Sequence, residues 1–376
     1  MTPAVEWIVW ALPVAACCGA FVGWCVIRVV GRLVEPGPAR ASGNDGRGSS
    51  ALVVAFAAAA AALWWWEVIA RGQLPGPASA AVPIATLVWR WAGHLVLGGL
   101  LAAASWIDLR DRVIPDGVTL PGVLLGLVWA GLRPDTLLPV VRAVPRSFAA
   151  PLVAADVLAV GGPLGGAELP SWLGASPAAG GFIVAALLFV VWWLGCTAPA
   201  HVASPGSVWF DPRLPVLAIG LGGIGAAWWH GGDHWVALVS GLVGMAVGMT
   251  VVWATRIGAS RALGREAVGF GDVTLMAAIG AWLGWQAVLL VCCLGVFVGL
   301  VHGLGQFILA RDNELPFGPS LCLGAAIVAV WWRPLWEWFG PAFARPGEIA
   351  AVAAAVIVLT ALTLAAWWRL RGGRAA

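Results

Sequence analysis

Residues 286–310 read QAVLLVCCLGVFVGLVHGLGQFILA, 25 consecutive positions without an Asp, Glu, Lys or Arg. As a helix this run is apolar on every face, and at about 1.5 Å per residue it is long enough to cross a hydrocarbon core of about 30 Å. Comparable runs occupy Trp7–Val30 and about 51–70, 83–107, 118–132, 181–199, 214–230, 235–256, 318–333 and 348–369, with a shorter one at 273–284. Composition agrees: 61% of residues are hydrophobic and 10% charged, whereas a water-facing surface takes charges to about a quarter of the chain. Lipid leaves no partner for open sheet edges, and the runs lack the period-2 alternation of a membrane barrel. The expectation is therefore all-α, a polytopic transmembrane bundle of about 9–11 helices forming one integral membrane domain over 1–376.

Arginine orients the bundle, since Lys is absent. The first run has no basic residue before Arg28, so it reads as an uncleaved helix with its N-terminus outside. With that start, fourteen Arg fall on the inner side (28, 32, 40, 47, 110, 112, 213, 256, 261, 265, 311, 369, 371 and 374) and six on the outer. This is the bias expected of a multi-pass protein of the plasma (inner) membrane. The 26 Trp, in a chain without Tyr, suit interfacial belts. A net charge of +3 is too small to imply a nucleic-acid partner. The seven Cys form no C-x-x-C pair, so no metal or disulfide framework is expected.

Two acids stand where helices meet the inner boundary. Asp108 ends the 83–107 helix in Trp106-Ile107-Asp108-Leu109-Arg110-Asp111-Arg112-Val113-Ile114-Pro115-Asp116, and Asp272 opens a later helix in Gly269-Phe270-Gly271-Asp272-Val273-Thr274. Taken singly, Asp108 reads as a loop charge and Asp272 as a helix cap. Taken together, at one depth on neighbouring helices, they read as a carboxylate dyad. Two close carboxyls do not both ionise, so one serves as base toward water and the other as acid toward a peptide carbonyl. Gly269 and Gly271 would let backbone approach the pair, and Pro115 would turn the chain after the first acid.

These strings, with Pro316-Phe317-Gly318-Pro319 opening a late helix, resemble the type IV prepilin peptidases, aspartyl proteases of the G-x-G-D class. The likeness covers about 83–132 and 235–335, and loosely the first helix. It implies Asp108 and Asp272 as catalytic aspartates, with Gly269, Gly271, Ile114, Pro115, Asp116, Pro316, Phe317 and Gly318 in supporting positions. It also implies cleavage of the basic leader of prepilins or pseudopilins in type IV pilus or type II secretion systems, with the site facing the cytoplasm and no metal or organic cofactor. Bifunctional members add S-adenosylmethionine-dependent N-methylation and carry two Cys pairs in an N-terminal loop. Residues 1–50 here hold a helix and a short loop whose positions 31–50 contain no Cys, so methyl transfer is not expected. Gly23 replaces a family Asn, and Thr274 stands where the family usually has Lys. Residues 133–234 form an insertion with two extra helices, and 348–376 a C-terminal helix.

Other polar residues read as structural. Arg90 is expected to snorkel near the outer end of its helix, His94 to be a satisfied group between helices, and Glu67 to pair with Arg71 at i+4. His302 reads as close packing, and His201, His230 and His234 form no metal spacing with acids. Two competing functions are a transporter, which would place charges near the midplane, and a non-cleaving organiser of pilus or secretion assemblies. The oligomeric state is open, and the bilayer itself is the remaining partner.

Overall fold

A computed structural model of the chain describes residues 10–33, 45–74, 82–141, 149–151, 178–203, 213–264, 268–309 and 317–339, with positions 354 and 358. Its helices are α1 (Leu12–Leu33), α2 (Asp45–Trp64), α3 (Ile84–Asp111), α4 (Asp116–Leu132), α5 (Ala179–Ala203), α6 (Arg213–His230), α7 (Gly232–Leu263), α8 (Phe270–Leu283), α9 (Trp285–Leu309), α10 (Gly318–Val330) and α11 (Trp332–Phe339). Among the described residues six helical segments are long and apolar enough to cross a membrane, and four shorter apolar helices (α4, α6, α8 and α10) accompany them. The chain is an all-α, multi-pass membrane protein, as the apolar runs require. Most of the expected span at 348–369 and most of the 133–180 connection lie outside the described residues. Within that connection, Pro139–Val141 (β1) pairs antiparallel with Ala149–Pro151 (β2), Val140 opposite Ala150.

The short run at 273–284 has a physical explanation. Every residue of α8 from Asp272 to Leu283 is buried, so this helix faces protein rather than lipid and need not span a bilayer. It packs most heavily on α7 and α4. The α7 contact runs through glycine: a β-carbon on Gly244 would strike the Gly280 carbonyl, one on Gly280 would strike the Gly244 carbonyl, and one on Gly248 would strike the Met276 carbonyl. Small residues let two backbones approach this closely without water to drive them together. On the opposite face, Trp282 Nε1 donates to the Gly122 carbonyl of α4 at 2.9 Å. α5 and α6 pack beside α7 through a separate aromatic core that includes Phe189, Trp192, Trp193 and Trp235.

Candidate active site

Helix α3 runs one turn further than the apolar pattern suggests, so Asp108 lies inside its last turn rather than beyond its end. Arg112 ends the helix in the left-handed conformation (φ 55°, ψ 30°), its N–H donating to the Asp108 carbonyl at 2.9 Å. For a residue with a side chain that conformation costs roughly 1–2 kcal/mol, and it reverses the chain quickly. Pro115 (φ −75°, ψ 142°) then caps α4, and Asp116 takes the first turn, where the helix dipole favours an acid. Between cap and cap, Ile114 turns inward and is buried while Asp116 remains exposed.

Helix α8 begins three residues earlier than its apolar run. Gly269 is the cap (φ −66°, ψ 152°), which puts Asp272 third in the helix. Its carboxylate accepts from the Gly269 N–H, the backward half of a capping box. Asp272 is thus not the N-cap that its sequence position suggested; it lies inside the first turn and reaches back to the cap residue. Thr274, in the place of the family's usual Lys, is buried and donates to the Gly271 carbonyl at 3.1 Å.

Ile114 joins the two segments. A β-carbon on Gly271 would lie 2.9 Å from both Cβ and O of Ile114, so the backbone of the G-x-G-D string lies directly on this side chain. On its other side, a β-carbon on Gly318 would stand 2.8 Å from Ile114 Cδ1 and 2.5 Å from Asp108 Oδ2. The Gly318 N–H donates to that same Oδ2 at 3.1 Å. Asp108, Gly318, Ile114, Gly271 and Asp272 thus form one run of contacts, and the two carboxylates interact electrostatically. Both are buried, at 6% and 8% exposure, too little for bulk water to screen them from one another. Each also lies at the start of a helix, α10 for Asp108 and α8 for Asp272, where free N–H groups can carry a negative charge.

Of the residues singled out from sequence, Asp108, Asp272, Ile114, Gly271 and Gly318 meet directly. Pro115 and Asp116 complete the turn. Phe317 caps α10 and would contact a β-carbon on Gly299 of α9 at 3.3 Å; Pro316 lies outside the described residues. Gly269 is less constrained than expected, with only Asp272 Oδ2 at 3.7 Å from its missing β-carbon and a φ open to any residue. Sequence reasoning missed Ser105 and Cys322. They hydrogen-bond to each other, and Cys322 lies within electrostatic reach of both aspartates. Their signal was helical spacing, three residues before Asp108 and four after Gly318. Among the described residues no group of three or more His, Cys, Asp or Glu could hold a metal ion.

A second polar centre lies near the other end of α3. Glu67 sits in a π-helical turn (Trp65–Ile69), and its Oε1 accepts from His94 Nδ1 at 2.6 Å and Gln73 Nε2 at 3.0 Å. Gln73 Nε2 also donates to the Ala329 carbonyl of α10 at 2.6 Å. His94 is the satisfied interhelical group anticipated. Arg90 departs from expectation: at 4% exposure it does not snorkel but donates to the carbonyls of Thr136 and Asp135 at 3.3 and 3.4 Å, with electrostatic support from Glu67 and Asp135. The turn after α4 supplies carbonyls close enough that the guanidinium need not reach for water.

Fold and site together define a polytopic membrane protein with a buried, electrostatically coupled aspartate pair held at helix starts. Residues 207–304 match the sequence pattern described as the type IV leader peptidase family. The segment contains Asp272 but not Asp108. Similar proteins include the prepilin leader peptidase/N-methyltransferases of Aeromonas salmonicida (34% identical over 108 residues, 28% of this chain and 37% of the relative) and Aeromonas hydrophila (35% over 107 residues, 28% and 37%). Another is that of Pectobacterium carotovorum subsp. carotovorum (40% over 94 residues, 24% and 33%). The chain thus spans little more than a third of the length of these relatives. No solved structure matches.

Proposed function

We propose that this protein is an aspartic endopeptidase that removes the leader of prepilin-like or pseudopilin precursors, with Asp108 and Asp272 as its catalytic pair. The observation that carries this reading is the contact run through Ile114, which brings together two acids from distant parts of the chain and buries both. A lone acid would serve as a cap or a loop charge. Two that share one environment are suited to divide the labour of base and acid.

In this mechanism the ionised carboxylate takes a proton from water as the water oxygen attacks the scissile carbonyl carbon. The protonated carboxyl donates to the carbonyl oxygen. Collapse of the tetrahedral species breaks the C–N bond, and the amine leaves with a proton returned by the pair. The substrate is an apolar N-terminal helix preceded by a basic leader. Exposed Asp111 and Asp116, beside the Asp108 turn, offer complementary charge. The arginine bias supports a cytoplasmic placement of this end. Methyl transfer is not part of the proposal, because residues 31–50 carry no Cys pairs.

The test is leader cleavage of pilin-like precursors in proteoliposomes, comparing wild type with Asp108→Asn and Asp272→Asn. Loss in both variants at unchanged protein level is expected. Cleavage surviving in either would overturn the dyad, and a wild type that cuts no precursor would favour a transporter or a non-cleaving assembly protein.

A further inference from the structure

Arg256 lies two turns before the end of α7 and reaches the backbone that leads into α8. Its Nε donates to the Val268 carbonyl oxygen at 3.0 Å, and its guanidinium carbon lies 5.7 Å from the centre of the Phe270 ring. The Val268 carbonyl and the Gly269 N–H belong to a single peptide unit, whose planarity points them in opposite directions. That N–H is the one donated to the Asp272 carboxylate. The peptide therefore carries a cation on its oxygen side and a carboxylate on its nitrogen side. A free peptide plane can rotate about its flanking bonds; this one is pinned at its oxygen, and bonds linked in series polarise one another.

We infer that Arg256 is a positioning residue for Asp272, acting through the Val268–Gly269 peptide to aim the Gly269 N–H at the carboxylate. The assignment rests on the leader-cleavage reading. It explains why a basic side chain is directed toward a backbone carbonyl next to the G-x-G-D string, where Phe270 covers its face. Asp108 receives an equivalent N–H from Gly318, so each acid is held by one glycine amide, and the Asp272 amide has Arg256 behind it.

The test uses the purified full chain in proteoliposomes with a prepilin-like precursor. Wild type and Asp272→Asn are compared with Arg256→Lys, Arg256→Gln, Arg256→Met, Gly269→Pro and the Arg256→Met/Gly269→Pro double variant. Proline suits the φ of −66° at position 269 and removes the N–H. In Arg256→Met, kcat falls about 10- to 100-fold with KM within about twofold, because an oriented charge-assisted bond is lost while substrate contacts remain. Lys retains more activity than Gln, and Gln more than Met. The double variant is no slower than Gly269→Pro alone, since both changes break the same relay. Arg256→Met cutting at the wild-type rate, or losses that multiply in the double variant, would overturn the assignment. Should Met or Pro variants fail to accumulate, Lys and Gln decide it: a folded Gln variant as fast as wild type overturns it. Wild type that cuts while Asp272→Asn does not keeps the peptidase reading secure whatever Arg256 does. A wild type that cuts nothing removes that reading and this assignment together.

Discussion

Helix α3 carries two polar centres, one around Arg90 and His94 and one at Asp108, with His94 and Asp108 about 21 Å apart along its axis. In the first, the compensation falls on one oxygen of the acid: Glu67 Oε1 accepts from an imidazole and an amide, and the side chain lies within electrostatic reach of a guanidinium. In the second, among the described residues, each acid receives one backbone N–H and faces another acid. The difference separates structure from chemistry. A carboxylate beside a guanidinium and side-chain donors ties helices together. One opposed by its own kind is poised to exchange a proton.

The largest test of this contrast neutralises the second centre. Asp108→Asn or Asp272→Asn is expected to lower kcat by at least about 10³-fold with little change in thermal stability, measured as precursor cleavage and as the melting of the detergent-solubilised protein. Next comes the glycine contact. Gly318→Ala forces a methyl against Asp108 and Ile114, and cleavage is expected to fall about 10²-fold; Gly271→Ala, pressed on Ile114 backbone, should fall comparably. The first centre should answer in the opposite currency. Glu67→Ala strands a half-buried His94 and weakens the setting of Arg90, costing about 3 kcal/mol of stability, while the turnover of molecules that remain folded stays within about threefold of wild type. If Glu67→Ala instead abolished turnover at full stability, the division drawn between the two centres would be wrong. Gly269→Ala, whose β-carbon meets nothing closer than 3.7 Å, should show the smallest effect, about twofold in cleavage.

Much of this was legible in the chain. Runs without charge located the helices, because a helix in lipid advertises itself by composition alone. The acids were legible because charges are so scarce here that two at helix boundaries stand out. What could not be read locally was long-range placement. No periodicity links Glu67 to His94 or Ser105 to Cys322, and Arg90 looked like a surface charge because the carbonyls that receive it come from residues 135 and 136. The start of α8 was misjudged by three residues because Phe270-Gly271-Asp272 breaks the apolar run while still adopting helical geometry. The aspartate pair itself was inferred from shared depth; the side chain that joins the two segments, Ile114, emerged only with the fold.

The reciprocal glycine contact between α7 and α8 bears on how such a protein is made. Those helices are neighbours in sequence, as are α3 and α4, so each hairpin can form from local contacts soon after its synthesis. Asp108 belongs to the first hairpin and Asp272 to the second. A nascent chain therefore does not bring the two acids together until the later hairpin docks on the earlier one, and the proposed hydrolysis would begin only with completion of the bundle. Assembly order would then keep the two acids apart until the bundle closes.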